Sequence, residues 1–417
     1  MIRDILLVQK REIEQQLKQR YVERRCDMAR LSHDLIKVVL GPRRAGKSFF
    51  AMHLVERLGC YGYVNFDDER LVDLQDYDAL MAAVDAIYGR PTHLLLDEVQ
   101  NLPRWELLVN RLQRQGYFLT ITGSTAHLLS SELATHLTGR HIPIVLFPFT
   151  FPEYLSSFDT EMTEHEKSEA LKSYVLAGGY PEPLIKGIPH RDYLTTLFRS
   201  VLYRDIVVRH RIRSHRGLED MASFLMANVA QRYSLNTLVR LTRLRSVHTI
   251  EKYLNHLEEA FLLFSVRRFS FKVREQMRSA RKVYCTDNGL ITSVSFRFSG
   301  DMGKLCENVV AIALRKRELE GSAECFYWQG PRQEEVDFVV KEGTRIEQLI
   351  QVCLQLDDPK TESREIRALL KASKDLQCSN LVVVNDSKEG EEEVSWRGMC
   401  GRVRYMPLWK WLLDEAG

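Results

Sequence analysis

A mixed α/β architecture in more than one domain is what this 417-residue sequence predicts, on three observations. A glycine-rich loop, GPRRAGKS from Gly41 to Ser48, stands between an apolar run and a helix-like stretch. A second apolar run, His93 to Leu96, ends in the adjacent acids Asp97 and Glu98 about fifty residues further on. Strand-like and helix-like segments alternate over residues 35–155, as they do in parallel sheets whose faces are covered by helices.

Composition narrows the class. The chain is 45% hydrophobic and 28% charged, which reads as a water-soluble globular protein. No apolar run is long enough to cross a bilayer, and the charged start MIRDILLVQKREIEQ is not a secretory signal. The eight cysteines form no CxxC pair, and the twelve histidines show no ligand-like spacing. The expectation is a reducing, cytoplasmic setting with no zinc site and no disulfide framework.

Residues 1–34 read as a charged helical arm. Ile5, Leu6, Ile13, Leu17 and Val22 are sparse for a core face, so the arm is expected to pack on the next domain or on a neighbouring subunit. Arg20, Arg24 and Arg25 read as a solvated face, with contact to an acidic partner as the alternative.

Residues 35–185 are the expected P-loop NTPase domain with a parallel sheet. The strand Leu35 to Leu40 leads into the loop, and a helix from Phe49 to Leu58 follows it. Gly41 and Gly46 let the backbone turn so that its N–H groups face a polyphosphate at a helix N-terminus. Gly41, Pro42, Arg43, Arg44, Ala45, Gly46, Lys47, Ser48 and Phe49 form the expected ATP-binding set. Lys47 reaches the β- and γ-phosphates, and Ser48 with Asp97 provides the Mg2+ site. Glu98 is the expected catalytic residue that polarises the attacking water. Ser124, at the end of the strand Tyr117 to Ser124, is the expected γ-phosphate sensor, with Thr122 or Thr125 as alternatives. The same hydroxyls also suit the cap of a following helix, residues 126–137. Arg140 is the candidate arginine finger, in cis or in trans, against the alternative of an ordinary surface arginine.

The segments YVNFDDERL, LLLDEVQNLPRWELLVNRL, TGSTAHLLSSELATHLTGR, LFPFTFPEYL and LAGGYPEPL, taken in series, resemble a large prokaryotic family of AAA+-like ATPases that carry a C-terminal domain of unknown function. The resemblance implies ATP and Mg2+ as ligands, and it puts Arg140 in a recurrent Gly-Arg position that supports the finger role. It also makes Leu146 to Tyr154 and Gly178 to Pro181 family hallmarks. By their residues, these two segments read as a strand turning into a helix and as a rigid connection.

Residues 186–282 are expected to be a basic winged-helix domain. Residues 191–282 hold 19 Lys and Arg against 8 Asp and Glu, a local balance of +11 in a chain whose net charge is +3. A helix is expected over Asp192 to Arg211 and a second over Leu218 to Ala230. Ser234 to Leu241 and Val247 to Phe261 read as two helices around a tight turn, with Ser246 as N-cap. Leu262 to Phe269 and Lys282 to Cys285 would supply the hairpin. Arg245, His248, Thr249, Lys252 and Asn255 would face DNA, through contacts made mainly to phosphates. Packing between domains is the alternative use of such a fold.

Residues 283–417 form a further α/β unit, and they resemble a restriction-endonuclease-like core. In active members of that class two acids bind a metal and a lysine assists the water. Glu307 and Asp337 fill the acid positions here, whereas Gln351 and Cys353 replace the following acid and lysine. The substitution predicts an inactive core. Three functions compete: an ATPase that drives the basic module on nucleic acid or a protein, a nucleotide-dependent DNA-binding regulator with little turnover, and an ATP-gated nuclease. A finger acting in trans would require a homo-oligomer, and no membrane association is expected.

Overall fold

A computed structural model describes residues 1–26, 31, 34–124, 137, 139–242, 244, 246–295, 301–354, 356 and 358–414. The chain divides into two compact units, Met1–Phe147 and Pro148–Gly417. Among the described residues no helix is long and apolar enough to cross a membrane.

The first unit is built on five parallel strands: β1 (Ile36–Leu40), β2 (Tyr61–Asn65), β3 (His93–Asp97), β4 (Phe118–Gly123) and β5 (His141–Val145), in the order β2-β3-β4-β1-β5. β1 is buried along its whole length, and most of β3 and β4 is buried with it. Strands covered on both faces read as continuous apolar runs for this reason. The helices Lys47–Leu58, Tyr77–Tyr88 and Trp105–Arg114 connect the strands. The first begins two residues earlier than the sequence places it, because Lys47 and Ser48 already belong to its first turn.

The N-terminal helix spans Ile2–Gln16 and buries Ile5, Leu6 and Ile13, so the sparse apolar positions do form a core face. The helix also covers the edge strand β2. Gln9 donates from Nε2 to the Asn65 carbonyl and accepts the Asn65 N–H at Oε1, both at 3.0 Å. An unpaired strand edge is thereby satisfied by one side-chain amide. Residues 20–26 leave the helical path that the sequence predicts for the whole arm.

The second unit carries a nine-stranded sheet in the order β13-β14-β12-β11-β10-β9-β7-β8-β6. Its strands are β6 (Arg232–Tyr233), β7 (Leu263–Arg268), β8 (Arg281–Cys285), β9 (Glu324–Gln329), β10 (Glu335–Glu342), β11 (Arg345–Val352), β12 (Leu381–Asn385), β13 (Gly390–Trp396) and β14 (Met399–Pro407). β6, β7 and β8 are antiparallel, and β7 joins β9 in parallel register. The sequence draws a boundary at 282/283, but this point falls inside β8. The hydrogen-bonded ladder runs through it, so residues 186–282 and 283–417 share one sheet. Residues 148–185, which the sequence assigns to the first domain, belong to the second unit. There the Gly179 N–H and the Gly289 N–H both donate to the buried Asp287 carboxylate, at 2.7 and 2.8 Å.

The stretch expected as one helix over Asp192 to Arg211 is an α-helix, His190–Ser200, that continues as a π-helix, Val201–Val208. Leu235–Leu241 and Val247–Glu259 are helical, as the periodicity predicts. Ser234 caps the first by accepting the Thr237 N–H. Ser246 occupies the N-cap position of the second without a side-chain bond. Among the residues expected to face DNA, His248, Lys252 and Asn255 are exposed on the latter helix, and Thr249 is half-buried. Arg245 lies outside the described residues.

Candidate functional site

The loop Gly41–Gly46 owes its path to backbone conformations that few residues adopt. Gly41 has φ +145°, and a Cβ built there would meet the Leu146 carbonyl oxygen at 1.9 Å. Only glycine fits, because the Leu146 N–H is drawn to the Leu40 carbonyl at 2.8 Å. Gly46 has φ +92° and Arg44 has φ +65°, so two further residues of the loop adopt positive φ. Pro42 and Ala45 are buried, Arg43 is half-buried and Arg44 is exposed. Lys47 is buried, and its ammonium donates to the Pro42 carbonyl at 2.8 Å, across the loop that would receive phosphate.

Asp97, the last residue of β3, is buried and ringed by hydroxyls. Ser48 Oγ donates to Asp97 Oδ1 at 2.8 Å, Thr122 Oγ1 bonds the same oxygen, and Tyr63 OH lies 3.3 Å from Oδ2. Burial raises the Asp97 pKa to about 6, with the Glu98 charge adding to it; the Thr122 and Ser48 bonds and the Lys47 charge act the other way. Burial and the nearby Asp97 charge likewise push the Tyr63 pKa well up. Ser48 and Asp97 thus present hard oxygen donors side by side, which suits Mg2+, an ion that takes few protein ligands and keeps water on the rest.

Glu98 follows in a left-handed conformation, φ +51°, an uncommon state for a non-glycine residue. Its N–H donates to Thr122 Oγ1 at 2.9 Å, which fixes the turn. Its carboxylate accepts a bond from the Gln100 side-chain amide, and the same amide lies 3.5 Å from Ser124 Oγ. Ser124 is buried just beyond β4, beside the partner of Glu98. Thr122, the alternative sensor, bonds Asp97, whereas Ser124 meets the Gln100 amide. Strand register explains the difference: Leu96 pairs with Ile121, so the next pair sets Asp97 beside Thr122. Thr125 and residues 126–136 lie outside the described residues.

Arg140 is exposed just before β5, whose register sets His141 beside Ile36 at the start of β1. The phosphate loop begins at the other end of β1, roughly 16 Å away at about 3.3 Å per residue. Arg140 therefore stands at the end of the sheet opposite the loop.

Sequence patterns miss Gln100, Tyr63 and Arg24. Arg24 is only 5% exposed, not solvated as the charge pattern predicts. It donates to the Ala45 carbonyl at 2.7 Å and to the Phe147 carbonyl at 2.5 Å, bracing the phosphate loop from the N-terminal arm. Nearby, Tyr21 stacks on His53 with centroids 3.9 Å apart, and Phe49 meets the His53 ring edge-on at 5.0 Å. Burial pushes the Tyr21 phenol up to about 12. The signal available in sequence is slight: an arginine in a polar stretch, and a Thr-x-Thr-x-Ser alternation in an otherwise apolar strand.

A parallel five-stranded sheet, a glycine-rich loop at the end of one strand and a buried aspartate at the end of another are the features of a P-loop NTPase domain. The family model described as an AAA domain matches residues 33–155. Two models described as domains of unknown function (DUF8612 and DUF4143) match residues 168–300 and 302–410. An uncharacterized protein of Methanocaldococcus jannaschii is 31% identical over 399 residues, 91% of this chain and 88% of that protein. An uncharacterized protein of Haemophilus influenzae is 30% identical over 300 residues, 68% of this chain and 75% of that protein. The chain belongs to the same family as these two proteins, and its residues 33–155 match the AAA-domain model. Among solved structures, the Walker-type ATPase PABY2304 of Pyrococcus abyssi is similar with TM-score 0.43 and 15% identity, over 68% of this chain and 94% of that one.

Two outcomes test this geometry. Arg24→Ala lowers ATP affinity about tenfold in a nucleotide titration, because a buried charge-assisted bond to the loop is lost. The raised Asp97 pKa gives a pH signature. Its stability contribution is present below the unfolded carboxyl value and lost as pH rises through about 6, so the nucleotide-free protein melts higher on the acid side. Mg2+ affinity moves oppositely, falling as pH drops through about 6, and Asp97→Asn abolishes both trends.

Proposed function

We propose that this chain is a Mg2+-dependent ATPase whose nucleotide cycle acts through the basic residues 186–282 on nucleic acid. The observation that carries the ATPase reading is the Ser48–Asp97–Thr122 cluster with Glu98 held beside it. Lys47 exchanges the Pro42 carbonyl for phosphate oxygens and neutralises charge on the β- and γ-phosphates. Ser48 and Asp97 hold Mg2+, which supplies further neutralisation. Thr122 keeps the Asp97 carboxylate turned toward Ser48. Glu98, released from Gln100, accepts a proton from the attacking water and orients it in line with the γ-phosphate. Ser124 would sense the γ-phosphate through the same Gln100 amide. Because Arg140 stands at the end of β1 opposite the loop, it would act as a finger on a neighbouring copy, which makes the working form a homo-oligomer.

The nucleic-acid reading rests on charge and shape. The helices Leu235–Leu241 and Val247–Glu259, followed by the antiparallel strands β7 and β8, match the order of a winged helix. His248, Lys252 and Asn255 are exposed, while Ile250, Leu254 and Leu257 of the same helix are buried, so the outward face is the polar one. A second reading, a DNA-binding regulator with little turnover, is favoured by one observation: the Gln100 amide engages the Glu98 carboxylate.

Turnover measurements separate these readings. Glu98→Gln keeps ATP binding and loses turnover by at least about a hundredfold; wild-type turnover no higher than this variant, with or without DNA, would remove the ATPase proposal. Arg140→Ala and Lys47→Ala are each inactive alone, and an equimolar mixture recovers activity, because one supplies a finger and the other a competent loop. Lys252→Glu with Asn255→Glu abolishes retention on DNA at low salt, as a charge-based interface requires.

A further inference from the structure

Outside the phosphate loop, the most enclosed charged cluster lies in the second unit around Lys282 of β8. Lys282 is only 1% exposed. Its ammonium donates to Glu307 Oε1 and to Asp337 Oδ1 at 2.9 Å each, and it lies 2.7 Å from Glu335 Oε1. Glu307 comes from the helix Met302–Leu319, and Glu335 and Asp337 come from alternate positions of β10. Three donor protons thus meet three carboxylates. Two further bonds reach the acids: Tyr284 OH donates to Glu307 Oε1 at 2.7 Å, and the Val352 N–H donates to Asp337 Oδ2 at 3.0 Å. Gln351 accepts the Asp337 N–H at 3.3 Å and donates to Glu365 at 2.8 Å, so it orders the strands and offers the centre no charge.

Three carboxylates converging from one helix and two alternate strand positions make the donor set of a hard divalent cation. The restriction-endonuclease resemblance implies such a metal on Glu307 and Asp337. The residues present do not fit it, because a cation already stands at their focus. Burial alone would drive Lys282 neutral; Asp337 and Glu307 outweigh it and raise its pKa well above the ordinary lysine value. Burial, with Asp337, raises the Glu307 pKa to about 7, against the pull of Lys282.

We propose that Lys282 is a built-in replacement for a divalent metal: its ammonium closes the Glu307–Glu335–Asp337 cage to Mg2+ and Mn2+, and removing it opens a metal site. Wild-type protein is therefore metal-free at this centre and has no metal-dependent phosphodiester chemistry there. The same ammonium ties β8 to β10 across the sheet, which makes the centre a staple of the nine-stranded sheet. This inference is independent of the ATPase reading.

The test uses the full chain without nucleotide, carrying Asp97→Asn so that the phosphate loop contributes no metal site. Mn2+ binding is followed by the loss of the free-ion resonance signal. With Lys282 intact, Mn2+ stays free. Lys282→Ala lowers the melting temperature by about 10 °C, because the buried Asp337 and the half-buried Glu307 lose their shared counter-charge, while Glu335 keeps Arg232. It also takes up about one equivalent of Mn2+, which restores much of that loss. Adding Asp337→Asn to Lys282→Ala removes the uptake. The proposal is overturned if folded Lys282→Ala binds no Mn2+, or if the Lys282-containing chain binds Mn2+ in a manner that Asp337→Asn abolishes. Should Lys282→Ala not fold, Lys282→Met, which keeps the apolar stem, is refolded with and without Mn2+. Recovery only with Mn2+ supports the proposal, and equal yields in the two arms overturn it.

Discussion

Burial of the Asp97 carboxylate is the constraint on which the nucleotide site depends. A carboxylate at the end of a buried strand is expensive to keep charged, and its pKa rises accordingly. Hydroxyls from three different elements make the charge tolerable: Ser48 from the loop helix, Thr122 from β4 and Tyr63 from β2. Each bond also fixes a distance between elements. The aspartate that would hold Mg2+ is thereby the residue that sets the loop helix against the sheet. Chemistry and architecture use one group.

The loop itself is held from both sides by backbone carbonyls. The approach of Leu146 to Gly41 leaves no room for a side chain, and Arg24 brings a buried guanidinium to the Ala45 and Phe147 carbonyls. A loop fixed before nucleotide arrives has less ordering entropy to lose on binding. The second unit uses the same device elsewhere. A buried charge, Lys282, is tolerated because three acids meet it, and a sheet that spans residues 232–407 is stapled at that point.

How much of this was legible in the sequence depends on distance along the chain. Gly41 to Ser48, Asp97 and Glu98 lie at strand ends marked by apolar runs, and their roles follow from local spacing. Thr122 on β4 and Ser124 just beyond it lie two residues apart, and sequence cannot tell which of them meets Asp97, because that depends on the register between β3 and β4. Arg24 and Ala45 are 21 residues apart, and Gln9 and Asn65 are 56 apart, with no motif linking either pair. Lys282 reaches acids 25 and 55 residues away, so it could not be found by looking for a lysine next to Gln351. The boundary at 282/283 fails for a similar reason: a hairpin strand looks like the end of one domain until its other edge is seen to pair.

The sequence by itself determined the phosphate loop, the acid pair at the end of β3 and the alternation of strands and helices. These rest on short-range sterics and on periodicity, which act between residues close in the chain. Only the tertiary structure decided that Thr122 bonds Asp97, that Arg24 is buried against the loop, that Arg140 lies at the end of the sheet opposite the loop, and that Lys282 fills the carboxylate cage. Those outcomes rest on strand register and on the pairing of buried charges, which have no local signature because the partners meet only once the chain has folded.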